Sequence, residues 1–210
     1  MKRQILAGTL ILLSGCGGTN VLMPPRIDLQ VFRKIGLVEF TSNAEGKLQT
    51  LASQEFIQGM QSSQPGVPVL ELGGEELVLE AIGRDRIDPD AVQAMGKRFN
   101  VDAVIIGNLE VTDVKPKVDL MQSLTSMDVQ ADVEAALTTR LMEVGSGATV
   151  WVRSARSKQT VAHAGLDSQG GIHFGAEDPE TAYGSLVHHL VNHVTQDFRP
   201  YWVKISAHMR

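Results

Sequence analysis

DPDAVQAMGKRFNVDAVIIGNLE, residues 88–110, reads as one capped helix followed by one buried strand. Asp88 stands where a side-chain oxygen can accept from the free backbone N–H groups of a first helical turn, and Pro89 follows where a missing N–H costs nothing. Val92, Met95, Gly96 and Phe99 recur at i, i+3, i+4 and i+7, a single apolar stripe. Asn100 ends the helix. Val101, Ala103, Val104, Ile105 and Ile106 then form a run with no polar alternation, which predicts a strand covered on both faces and central in a sheet, closed by Gly107 and Asn108.

Upstream, Ile35–Phe40 (IGLVEF) predicts another interior strand. Asn43 stands where it can cap a helix whose stripe is Leu48, Leu51, Ala52, Phe56, Gly59 and Met60. Pro65-Gly66 breaks that helix, and Val67–Leu72 predicts a strand that Pro68 pushes toward a sheet edge. Gly73-Gly74 predicts a turn into a short helix. That turn is a poor phosphate cradle, because the helix opens with Glu75 and Glu76 and lacks a Lys-Ser/Thr pair.

Downstream, Val111–Val118 continues outward and Asp128–Val144 returns, with apolar residues alternating from Val129 to Leu137. Gly145-Ser146-Gly147 turns the chain into Ala148–Ala155, an antiparallel hairpin in which Trp151 reads as a core or sheet-face anchor. Ser157–Ala176, polar and Gly-rich, reads as a loop or extension. Asp178-Pro179 opens a last helix with the stripe Tyr183, Leu186, Val187, Leu190, Val191 and Val194. Tyr201 and Trp202 follow a helix-stopping Pro200, either packing the domain's end or forming an interaction surface. The fold class is α/β, a three-layer-like arrangement on a mixed sheet, in the order strand-helix-strand-helix-strand-hairpin-helix.

The amino terminus is a targeting signal. Lys2 and Arg3 precede a short apolar region, Ile5–Leu13, too short to span a bilayer as a stable anchor. Leu13-Ser14-Gly15-Cys16 looks like a bacterial lipobox, and Cys16 is the sole cysteine. The expected divisions are a signal peptide (1–15), a lipidated tether (16–33) stiffened by Pro24-Pro25, one α/β domain (34–203) and a tail (204–210). Cleavage removes Lys2 and Arg3 and takes the formal charge from −5 to −7. That balance excludes nucleic acid as an expected partner, since phosphate binding wants a basic surface. By analogy with lipoprotein sorting, Gly17 is not the aspartate that retains lipoproteins at the inner membrane. The expected location is therefore the outer membrane, facing the periplasm, with acyl chains such as palmitate on Cys16.

Catalytic patterns are sparse. There is no G-x-S-x-G elbow, and the one cysteine is assigned to lipid. Asp85, Asp88 and Asp90 read as a cap and a solvated loop rather than paired glycosidase carboxylates. The expectation is no enzyme activity and no cofactor. In HHLVNH, His189 and His193 stand one turn apart and are the weak candidates for a metal; His188 points away from that pair, and no Glu completes an HExxH motif.

"GKRFNVDAVIIGNL" and the hairpin "ALTTRLMEVGSGATVWVRSA", preceded by a lipobox, resemble the envelope lipoproteins typified by the curli secretion channel subunit and the penicillin-binding-protein activator. The resemblance covers about Lys34–Val203. It implies a lipid-anchored docking, scaffold or regulatory module acting on an envelope protein partner or on itself, within an envelope assembly or export machine. The channel members imply an alternative, an oligomeric secretion pore, whose membrane strands would come from Val111–Val133 and Arg156–Glu177. Neither segment carries a continuous apolar face. A periplasmic metal-binding protein resting on His189 and His193 is the further alternative.

Overall fold

The computed structural model describes residues 19–44, 48–112, 115–118, 129–166, 172–176 and 179–205. Its strands are β1 (Thr19–Met23), β2 (Ile35–Val38), β3 (Thr41–Ser42), β4 (Val69–Gly73), β5 (Ala103–Val111), β6 (Lys115–Val118), β7 (Val129–Glu143), β8 (Thr149–Leu166), β9 (Ile172–Ala176) and β10 (Tyr201–Ile205). The helices are α1 (Leu48–Ser63), α2 (Glu75–Ile82), α3 (Pro89–Phe99) and α4 (Pro179–Val194). The fold is mixed α/β. The main sheet runs β4-β2-β5-β7-β8-β9, with β3 on β5 and β6 on β7; β1 and β10 form a separate two-stranded ribbon.

The deciding stretch folds as its residues predict. The Ala91 N–H donates to the Asp88 carboxylate at 2.9 Å, Pro89 opens α3, and Asn100 ends it in the left-handed region at φ 55°. β5 is central, parallel to β2 on one side and antiparallel to β7 on the other. Ala103 and Ile105 face one core with α1 and α4. There Ala52, Phe56, Met60, Leu190 and Val194 pack against Ile35, Leu37, Leu141 and Trp151. Val104 and Ile106 face a second core, with Val78 of α2 and Val92 and Met95 of α3. One apolar run thus serves two helical layers through the period of two in its side chains.

The strand does not close at Gly107-Asn108. It continues to Val111, because β3 and β7 flank its outer half and Leu109 is buried there. Gly107 is needed for packing. A Cβ at that position would lie 2.6 Å from the Phe40 ring. β4 sits at the sheet edge, and the carbonyl of Pro68 still accepts from the Ile35 N–H at 3.0 Å.

The start of α1, where Asn43 was expected as a cap, follows residues outside those described, and the Asn43 side chain has a partner on β5. Its amide donates to the Val111 carbonyl at 3.0 Å and accepts from the Val111 N–H at 2.8 Å, so it terminates β5. Two other expectations are corrected. The segment 157–176, read as a loop, is strand over most of its described length. β8 runs on to Leu166 and β9 pairs with its end. Polar residues are accepted there because the backbone groups find partners in the ladder with β7 and, from Ala162 on, with β9. The tether is folded from Thr19 onward. β1 pairs with β10, Leu29 is fully buried, and the N–H groups of Arg26 and Ile27 donate to the Asp197 carbonyl. Cys16, Asp178, most of Val111–Val133 between 119 and 128, and the end of the tail lie outside the described residues.

Two carboxylates tie the elements around β5. Arg33 forms an ion pair with Asp102 at 2.7 Å, and that guanidinium holds the Asp102 carboxyl below its usual range. The Asp88 carboxyl is also lowered, first by the Ala91 N–H and then by Arg86. A depressed folded-state pKa contributes stability that is present above the unfolded value and lost as pH falls through the folded one. Stability is therefore expected to fall with acidification below about pH 4. Asp88→Asn keeps an acceptor for Ala91 and removes the titration. It should match the parent at neutral pH and lose less stability on acidification, read as urea midpoints across pH. An acid limb of unchanged steepness would overturn that assignment.

Candidate docking surface

The two crossovers from β2 lie on opposite faces. The link from β2 to β4 runs through α1 on the first core, and the link from β4 to β5 runs through α2 and α3 on the second. β2 is flanked by β4 and β5, so the strand order reverses there, and a crevice opens at the carboxyl ends of β2 and β5. A cleft of about 610 Å³ occupies it. Its floor is Ile106, Asn108 and Glu110 of β5 with Thr138 and Arg140 of β7, and its wall is Glu75, Arg86 and Ile87.

The cleft is the rim of a larger open area. Ile106 faces Arg140 and Asn108 faces Thr138 across the β5–β7 ladder, and Arg140 and Thr138 face Val152 and Ser154 on β8. Directly opposed residues share a face. The Thr138 and Ser154 hydroxyls are 2.8 Å apart, which fixes that face. Helical cover from α2 and α3 reaches Val104, Ile106 and Met142. Beyond it Asn108, Glu110, Arg140 and Arg156 are exposed, and Val152 stands 58% exposed among them. The opposite face of the same strands is covered: Leu137, Leu141 and Trp151 are buried against α4 and its neighbours.

This open face is ordered by its own contacts. The Thr41 hydroxyl donates to Asn108 Oδ1 at 3.0 Å, and Asn108 Nδ2 donates to Glu110 Oε1 at 3.0 Å. The Lys158 ammonium lies 3.9 Å from Glu134. Arg86 reaches Asp88 at 3.4 Å. Arg140 and Glu75 line the one cleft without an ion pair between them among the described residues. The result is a mixed-charge surface with exposed apolar side chains at Val150 and Val152 of β8 beside hydrogen-bonding groups, a layout like the rim and core of an interface.

A second surface lies at the ribbon. Leu22 and Trp202 are cross-strand partners, 52% and 68% exposed, with exposed Lys204 beside them. The Arg26 guanidinium lies 5.2 Å from the centre of the Tyr201 ring. The segment behind the ribbon is pinned to the core twice. Gln64 donates to the carbonyls of Ile27 and Phe198 and accepts from the Leu29 N–H. Asp197 accepts from Trp151 Nε1 at 3.2 Å, from Arg153 at 3.1 Å and from Arg26 at 3.4 Å.

The sequence candidates are dispersed. His189 and His193 are exposed on α4. His188 reaches Glu55 of α1 at 3.2 Å, so it links two helices. His163 and His173 fall on β8 and β9. Among the described residues no three His, Cys, Asp or Glu side chains are placed to hold a metal ion, and no helix is long and apolar enough to cross a membrane. Asn108, expected to close its strand, and Glu110, Thr138 and Arg140 belong to no site motif in the sequence. What marks them in the sequence is polarity at the even positions after Ile106 and in the facing half of the hairpin.

No family model matches the sequence, and no curated protein matches it. Similar solved structures include the PelC dodecamer from Paraburkholderia phytofirmans, 15% identical over 87% of this chain and 97% of that one, with a TM-score of 0.46. Lipoprotein GNA1162 from Neisseria meningitidis is 20% identical over 60% and 83%, with a TM-score of 0.36. The LpoB C-terminal domain from Salmonella enterica is 10% identical over 60% and 83%, with a TM-score of 0.36.

Proposed function

We propose that this chain is a lipid-anchored, non-enzymatic docking module that faces the periplasm from the outer membrane and scaffolds or regulates an envelope assembly or export machine. The lipobox at Cys16 supports the anchor. The observation that carries the docking role is the half-covered sheet: one face of β7 and β8 is packed under α4, while the other presents Arg140, Val152 and Ser154 to solvent. A protein partner laid on that face would complete the third layer. The mixed charges would set its orientation more than its affinity.

The test places a photo-crosslinking residue at Val152 in the full-length chain and irradiates intact cells. A discrete adduct with another envelope protein is expected, reduced about tenfold by Arg140→Glu, whose reversed charge faces the partner's complement. Deleting the gene should disturb envelope assembly. No protein adduct, together with unchanged envelope assembly, would overturn the reading.

One observation favours the alternative of a secretion-channel subunit. Beyond the end of β5, β7 and β8 continue as a paired extension flanked by β6 and β9, four antiparallel strands outside the layered core. A strand that spans a membrane needs about 9–11 residues, a length reached by the part of β8 beyond β5, 158–166, while the part of β7 there, 129–134, is shorter. Light scattering and electron microscopy of the lipidated protein in detergent discriminate the two. A large ring favours the channel, and a monomer or small oligomer removes it.

A further inference from the structure

We infer that the β1–β10 ribbon lies flat in the headgroup region of the bilayer, with Leu22 and Trp202 inserted and Lys204 at the phosphates; this rests on the lipid anchor at Cys16 proposed above. The argument begins with the leash. Only Gly17 and Gly18 separate Cys16 from Thr19, the first residue of β1. Three fully extended residues reach about 11 Å. A cysteine whose acyl chains are in the bilayer therefore holds β1 at the membrane surface whatever the rest of the domain does.

The composition of the ribbon fits that position. A two-stranded sheet is marginal in water without cover. This one nevertheless exposes Leu22, Met23, Trp202, Val203 and Ile205. Leu22 and Trp202 are directly opposite, so they form one contiguous apolar spot, and Asn20 and Lys204, the next residue pair on that face, are polar. Tryptophan favours the membrane–water boundary, where its ring is amphipathic, and flanking Lys or Arg reaches the phosphates. Lys204, two residues along β10 from Trp202, is exposed on the same face as the apolar pair. Two independent constraints, the short leash and the apolar pair with Lys204 beside it, select a lipid surface over a protein groove as the occupant.

The two tryptophans make the test direct. Trp151 is only 6% exposed and is hydrogen-bonded to Asp197, so it serves as an internal reference, whereas Trp202 is open. The full-length lipidated protein is reconstituted into phosphatidylethanolamine–phosphatidylglycerol vesicles with and without lipids brominated on the acyl chain. Intact mass of the same sample reports acylation at Cys16. With Cys16 acylated, brominated lipid is expected to quench about half of the tryptophan emission, and Trp202→Phe to abolish the quenching while the protein stays bound. Acylated protein with unquenched emission would overturn the inference, assign the ribbon to a protein or a second copy, and leave the anchor reading standing. An unacylated Cys16 would overturn the anchor reading and remove the leash with it.

Discussion

Asp197→Ala is expected to lower stability by about 3 kcal/mol, read as a shift of the denaturation midpoint at unchanged slope. The carboxylate is nearly buried and receives three donors from two parts of the chain: Trp151 and Arg153 of β8, and Arg26 of the amino-terminal segment. Removing it leaves the buried Trp151 N–H without a partner and Arg153 without a counter-ion. Arg26 contributes little to the figure, because its side chain is 59% exposed and solvent screens the pair. Asp197→Asn retains an acceptor for Trp151 and should recover about half of the loss. A change below about 1 kcal/mol for the alanine variant would show that the three donors find other partners or water.

The second large effect is Phe56→Ala, expected to destabilise by about 3–5 kcal/mol. Phe56 is fully buried on α1, edge-on to Phe40 at 5.3 Å and to Phe198 at 6.0 Å. Phe198 in turn lies 4.8 Å from the Trp151 ring. The variant loses apolar transfer, leaves a cavity and breaks two aromatic edges. Phe56→Leu fills much of the space and should cost less than half as much. Natural domains have about 5–15 kcal/mol in all, so either alanine variant removes a large share. Because Phe198 and Trp151 join the two sites, the double variant should lose measurably less than the sum of the singles. Strict additivity would mean that the aromatic chain does not couple them.

The parts of the fold that were legible in the sequence are those fixed by local chemistry. Asp88, Pro89 and Asn100 bound a helix through groups within one turn of each other, and Val104 to Ile106 announce burial on both faces. The hairpin was legible for the same reason, since Gly145 to Gly147 and the alternation beside them sit next to each other in the chain. The outer half of β8 was not. Ser157, Lys158 and Gln159 owe their strand to pairing with β7, and their residue types carry no core signal. The bonds of Asn43 to Val111 were not legible, because only the fold brings Val111 within reach of that amide.

The candidate surface was hidden for a different reason. Arg140 and Val152 are ordinary residues for a strand, and they become a surface only because α2 and α3 stop at Met142. Which strands a helix layer fails to cover depends on crossover geometry, which no short window of sequence holds. The ribbon is the extreme case: Leu22 and Trp202 meet across nearly the whole chain. Val21-Leu22-Met23 could have been noticed as three apolar residues in a supposed tether.

That last pairing also sets an order of events. The β7–β8 ladder joins Met142 to Thr149 and can zip from its turn outward, whereas Thr19 must find Ile205. Contacts that close short loops form early, and those that close long ones wait. Until Tyr201–Ile205 arrives, β1 is a single strand with unpaired backbone groups and with Val21, Leu22 and Met23 beside them, a template for pairing with the wrong chain. The interval before the ribbon is complete is therefore when this chain is most exposed to mispairing.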